Sequence, residues 1–211
     1  MTIDPIKLDR LAEVAVRTGV NLAQGQELVI SAPIEALPLV RRIVVHAYKA
    51  GASLVTPMFN DGEITKARYE HGADASFDAA PAWLFEGMGK AFSDGAARMA
   101  ITGDDPMLLA EVDPKLVARV GKATSIASKP AMTPIVGFAV NWNIIAYPTE
   151  GWAAQVYPDL PVAEAQAKLM DAIYDASRIG GDDPVQNWAN HTAELRTRID
   201  WLNDQGFDAL Q

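Results

Sequence analysis

The sequence predicts an α/β fold: a mainly parallel, open sheet flanked by helices, followed by a C-terminal helical hairpin. Short apolar runs rich in β-branched residues, several closed by glycine or proline, alternate with amphipathic helix-length stretches as far as Tyr147. Beyond Tyr147 the strand runs stop, and two long stretches of helical period follow.

Leu8, Leu11, Ala15, Thr18 and Leu22 recur at helical spacing behind Asp4-Pro5, where Asp caps and Pro suits the first helical position. A first helix is predicted over roughly 4–20. After Gly25, Glu27-Leu28-Val29-Ile30-Ser31 reads as a buried strand. Leu37, Val40, Val44 and Ala47 mark a helix stopped at Gly51, and Ser53 to Phe59 is a second strand. Helical material from about Glu63 to Phe92, broken near Gly72, precedes a third strand, Ala97-Arg98-Met99-Ala100-Ile101-Thr102. A further helical stretch from Met107 to about Ser128 leads to the fourth, Trp142-Asn143-Ile144-Ile145-Ala146-Tyr147, ended by Pro148. Helical connections between four strands imply right-handed crossovers and parallel pairing. Val162, Ala165, Leu169, Ile173 and Ala176 mark one hairpin helix, and Val185, Trp188, Thr192, Leu195, Ile199 and Leu202 the other, joined through Gly180-Gly181-Asp182-Asp183-Pro184. The organisation expected is a sheet core over 1–159 and a hairpin over 160–205, with no repeat and no Gly/Ser-rich or Pro-rich linker between them. Phe207-Asp208-Ala209-Leu210-Gln211 reads as the approach to a further element.

At 49% hydrophobic and 21% charged residues, the 211-residue chain has the composition of a folded globular protein and excludes wholesale disorder. Its net charge of −9 repels nucleic-acid phosphates and anionic headgroups, so neither nucleic acid nor membrane is an expected partner. The absence of cysteine removes disulfides, thiolate nucleophiles and Cys-based zinc sites. Met1 to Arg10 has no apolar signal region, and the longest apolar run, Pro134 to Val140, is far below the roughly 18 residues of a membrane span, so a cytoplasmic protein is expected.

Candidate chemistry is sparse. His46, His71 and His191 have no second histidine or carboxylate at H-x-x-x-H or H-E-x-x-H spacing, so packing or capping suits His46 and His71 and an interfacial or solvated place suits His191. Asp104-Asp105 and Asp182-Asp183 could suggest acid/base or metal work. One mechanism covers all four Asp-Pro pairs, Asp4-Pro5, Asp105-Pro106, Asp113-Pro114 and Asp183-Pro184: each is a helix cap followed by a first-turn proline. Asp104 keeps a functional reading, since it follows a strand's carboxyl end, where open α/β sheets bind ligands. Gly87-Met88-Gly89-Lys90 lacks the third glycine of a dinucleotide loop and lies in helical sequence, and no serine sits in a G-x-S-x-G elbow. Trp152 could line a cleft or an interface, and Trp188, on the hairpin's apolar stripe, is expected in the core.

The ordered run Tyr147-Pro148-Thr149-Glu150-Gly151-Trp152, Val156-Tyr157-Pro158-Asp159, Glu164, Lys168-Leu169, Ile173, Arg178, Asp183-Pro184-Val185, Trp188, His191, Leu195 and Leu202-Asn203 resembles the thermophilic-type metallo-aminopeptidases, of the aminopeptidase T and aminopeptidase S kind. Asn21-Leu22, Gly25-Gln26, Ala50-Gly51-Ala52 and Ile101-Thr102-Gly103-Asp104-Asp105-Pro106 fit the same pattern, and Met170 departs from it where a tryptophan is expected. The resemblance implies a cytoplasmic exopeptidase that removes N-terminal residues from peptides, using two divalent ions, zinc or cobalt, in a two-domain subunit that dimerises. The family's ligands belong to its C-terminal domain, which would begin near Gln211. The resemblance therefore assigns no catalytic, cofactor-binding or metal residue to this chain, and makes it a non-catalytic N-terminal domain, inactive alone, that walls or lids the active site. Its implied partners are the catalytic domain, the peptide substrate and a second subunit.

Two other readings stay open. One is a free-standing small-molecule-binding module using the sheet's carboxyl edge, with Ser31, Asn60, Asp104 and Thr149 near the strand ends. The other is a protein-interaction domain that associates through the hairpin.

Overall fold

The computed structural model describes residues 3–207 and 209 of the chain. Positions 208, 210 and 211, within the segment read above as the approach to a further element, lie outside the described residues. Four parallel strands form one sheet: β1 Glu27–Pro33, β2 Leu54–Asn60, β3 Ala97–Thr102 and β4 Trp142–Ala146, in the order β2-β1-β3-β4. Leu28, Val29 and Ile30 of β1 are buried, as a central strand covered on both faces requires. The outer strands are wetter, with Leu54 and Ile144 each 51% exposed.

Connection direction decides which face each helix covers. From β1 the chain passes through α2 (Leu37–Lys49) to β2, then reverses through α3 (Gly62–His71) and α4 (Ala82–Ser93) to β3. It continues in that second direction through α5 (Pro114–Ala127) and α6 (Lys129–Val136) to β4. Crossovers of one hand that run in opposite directions must lie on opposite faces. Leu39, Val40 and Ile43 of α2 accordingly belong to one buried cluster, and Phe92 of α4 with Ala131 and Ile135 of α6 to another.

The face of α2 is completed by α1 (Pro5–Val14) and by α8 (Val162–Ala176), the first helix of the predicted hairpin. Leu169, Met170, Ile173 and Tyr174 share the cluster of Leu8, Leu11 and Ile30. Met170, where the family pattern suggested tryptophan, is 1% exposed there. Lys7 Nζ donates to Asp171 Oδ1 at 2.8 Å and fastens α1 to α8. The second hairpin helix, α9 (Pro184–Asp204), is anchored at its start by Trp188, whose indole N–H donates to the Ser177 carbonyl at 2.7 Å. Trp188 is only partly buried and meets His191 edge-on, 5.8 Å between ring centres.

Three of the four Asp-Pro pairs open helices. Asp4 accepts from Ile6 N, Asp113 from Lys115 N and Asp183 from Gln186 N, each at 2.8–2.9 Å. Asp105 also accepts a backbone N–H, that of Met107 at 2.9 Å, but the chain then runs through turns and α5 starts only at Pro114. Two helices carry no expectation from the sequence: α6, and α7 (Glu150–Val156), which Thr149 caps by accepting from Trp152 N. The first helix ends in a π-helical turn over Ala15–Gly19, where the Val20 N–H reaches the Ala15 carbonyl at 2.8 Å.

Arg119 of α5 holds the loop before α4. Its guanidinium pairs with Asp74 at 2.7 Å and with Asp78 at 2.5 Å, and lies 5.7 Å from the Phe77 ring centre. Hydrogen bonding to Arg119, with its charge, holds both carboxyls below their ordinary 3.8. A carboxyl lowered on folding stabilises the fold above its unfolded pKa, and the contribution is lost as pH falls through the lowered value. R119Q is therefore expected to melt below the wild type near neutral pH, with the gap closing as pH falls below the ordinary carboxylate range and shrinking in high salt. Thermal melts of both proteins across pH test it.

Candidate functional site

Strand order reverses at β1, so the crevice between the carboxyl ends of β1 and β3 is the place where an open sheet of this kind receives ligands. Asn60 ends β2 and Asp104 follows β3, and the Asn60 amide donates to Asp104 Oδ1 at 3.1 Å, bridging past the end of β1. Asp104 lines an open depression of about 340 Å³ with Thr102, Gly103, Pro106 and Trp152. Trp152 thus takes the cleft-lining place considered for it.

The floor of this edge is backbone. Gly103 has φ 151°, and a Cβ there would run into the Tyr147 carbonyl oxygen. The Tyr147 N–H donates to the Thr102 carbonyl at 2.8 Å, and the Thr149 N–H to the Gly103 carbonyl at 3.2 Å, so the exit of β4 is locked against the exit of β3. A Cβ at Gly151 would likewise run into the Asp105 side chain. Thr149 is 6% exposed and engaged as the cap of α7, so it is spent on structure and does not face a ligand. Ser31 opens instead onto a cavity of about 300 Å³ on the α4 and α6 face, which Asn60 also lines.

Of the four edge residues named from the sequence, the structure joins Asn60 to Asp104 directly and Ser31 to Asn60 through that cavity. A larger cavity, about 660 Å³, lies elsewhere, between the π-helical turn, β4 and the hairpin, and is lined by Asn143, Ser177, Trp188 and Thr192 among others. Its polar atoms are dispersed amides and hydroxyls, with no acid or base to start a proton transfer.

The metal donors present do not fit a two-ion centre. Among the described residues no three His, Asp or Glu side chains converge as a metal site would require. His46 pairs with Asp9 at 3.2 Å and is otherwise packed, its side chain 12% exposed. His71, at the end of α3, is 79% exposed beside Glu70, and His191 packs on Trp188. Asp74 and Asp78 converge, but on Arg119, which pairs with both. Asp183 caps α9.

Arg98 is the functional candidate that sequence reasoning passed over. It is the only charged side chain of β3, half-buried, and lines the 300 Å³ cavity with Ser31 and Asn60. A lone arginine among Ala97, Met99 and Ala100 was the available signal; the cavity around it follows from how α4 and α6 pack.

The thermophilic metalloprotease (M29) family model matches residues 5–211. Aminopeptidase T of Thermus aquaticus is 44% identical over 203 residues, which are 96% of this chain and 50% of that protein. Aminopeptidase 2 of Geobacillus stearothermophilus is 37% identical over 204 residues, 97% of this chain and 49% of that protein. The solved structure of wild-type AmpT from Thermus thermophilus superposes with a TM-score of 0.89 at 41% identity, over 96% of this chain and 49% of that one. The chain thus spans about half the length of the curated relatives it matches.

Proposed function

The chain belongs to the thermophilic metalloprotease (M29) family, and from that premise we propose that it is the non-catalytic N-terminal half of a metal-dependent aminopeptidase that releases N-terminal residues from peptides. One observation supports the division of labour: among the described residues no three His, Asp or Glu side chains converge as a metal site requires, and Asp183, His46 and Asp74 are engaged in a cap, a packed pair and an arginine clamp. The two divalent ions, zinc or cobalt, and the catalytic groups are assigned to the other half of the relatives' length. A half without donors contributes shape, exclusion of water and control of access.

The surface of α9 supports the lid and assembly roles. Leu195, Ile199 and Leu202 form a stripe that is 37–56% exposed, and every described residue from Ala193 onward is exposed. Such a stripe is the face to lay against the catalytic half or against a second subunit. The whole enzyme is read as a cytoplasmic homodimer; among the described residues no helix is long and apolar enough to cross a membrane.

The test is direct. Purified chain assayed on leucyl-p-nitroanilide with added zinc or cobalt is expected to give no turnover above buffer. Turnover that follows the protein through successive columns and rises with metal overturns the assignment.

A further inference from the structure

Arg98 stands on an inner strand of the sheet, and among the described residues it has no counter-ion. Its neighbours across the strands on the same face are Val29 of β1 and Trp142 of β4. Burial alone acts on its guanidinium, pulling the pKa below its ordinary value, and no acidic group offsets this. A half-buried charge left unpaired costs stability. Arg119, by contrast, has two aspartates.

The space beside Arg98 has a defined chemistry. The cavity of about 300 Å³ lies between the sheet and helices α4 and α6, with Met58, Phe85, Met88 and Met132 among its apolar walls. Its polar points are Ser31, Asn60 and Ser128, and no second cation and no carboxylate lines it. Arg98 is level with Val29, and Asn60 with Pro33, so the two ends of the cavity floor lie four residues apart along the strands, about 13 Å, and two strand spacings apart across the sheet, about 10 Å. A volume of this size sits at the small end of ligand pockets. Methionine walls adapt to irregular apolar shapes. A single guanidinium matches one planar carboxylate through paired N–H···O bonds, whereas a phosphate would call for further cations or a backbone cradle.

We propose that Arg98 and the cavity between the sheet and helices α4 and α6 form a binding site for a small carboxylate with an apolar body. The carboxylate pairs with Arg98, and the body lies along Met58, Phe85 and Met88 toward Asn60. The site is independent of the hydrolase reading, since it needs neither metal nor turnover, and it is separate from the depression beside Asp104.

The experiment is calorimetric titration of the intact chain with 3-phenylpropionate and with its uncharged amide, repeated on R98Q and M132W. The acid is expected to bind the wild type at least about tenfold more tightly than the amide, the margin of one charge-assisted pair. R98Q should erase that preference, and its thermal melt should be unchanged or higher, because an unpaired charge has been removed. Met132 is 40% exposed at the cavity, so M132W should fold while weakening the acid by filling its space. Equal binding of acid and amide by the wild type overturns the proposal. So does the absence of acid binding, or retention of the preference in R98Q. If R98Q fails to fold, the wild-type comparison and M132W decide between the same outcomes.

Discussion

Gly103→Ala is expected to cost about 3–5 kcal/mol of folding stability, among the largest effects of any single methyl addition in the chain. Two penalties combine. The φ of 151° is open to glycine and strained for any L side chain. The new methyl would also meet the Tyr147 carbonyl oxygen, which is backbone and cannot swing aside as a flexible side chain would. Relief by separating the strand exits would break the bonds from Tyr147 N to Thr102 O and from Thr149 N to Gly103 O. Gly121 is the control: it lies inside α5 with nothing within 4 Å of its added Cβ. Gly121→Ala should stabilise by about 0.5–1 kcal/mol through helix propensity alone. Urea midpoints at unchanged slope measure both. A loss below about 1 kcal/mol for Gly103→Ala would mean that the carboxyl edge yields easily and that its floor is not rigid.

Ile30→Ala is the second large effect, at about 2–5 kcal/mol. Ile30 is fully buried in the central strand and belongs to the cluster shared by α1, α2 and α8. Helices on that face are held by several partners at once, so they cannot close independently on the space vacated, and the cavity penalty adds to the lost transfer energy. Leu54, on the edge strand and 51% exposed, is the matched comparison, and Leu54→Ala should stay within about 0.5 kcal/mol. Equal losses at both positions would contradict the assignment of β1 as the covered centre and β2 as the edge.

Local signals made the elements legible, and long-range packing hid the site. The runs at Val29, Ala97 and Ile144 announce strands because a buried parallel sheet needs continuous apolar, β-branched segments, and Asp4, Asp113 and Asp183 announce helix starts because capping needs only the next three residues. Asp105-Pro106 carries the same signal yet opens turns over 106–111, and the helix starts only behind the next Asp-Pro pair, Asp113-Pro114. Helix α6 was masked by its own prolines, Pro130 and Pro134, the second inside the helix, where composition alone argues against helical structure. Nothing local could pair Asn60 with Asp104, because that contact depends on the order β2-β1-β3-β4. Arg98 illustrates the same limit: a lone charge in a strand is visible, but whether α4 and α6 leave room beside it is decided by packing.

The closure of α1 and α2 by α8 bears on how the protein is made. Lys7 and Asp171 are 164 positions apart, and Leu8, Ile30 and Met170 share one cluster. A ribosome adding roughly 5–20 residues per second leaves an interval on the order of ten to thirty seconds between the emergence of α1 and that of its lid. Throughout that interval the part of this face that α8 covers stays open beside α1 and α2, and the protein's need for chaperones should be concentrated there.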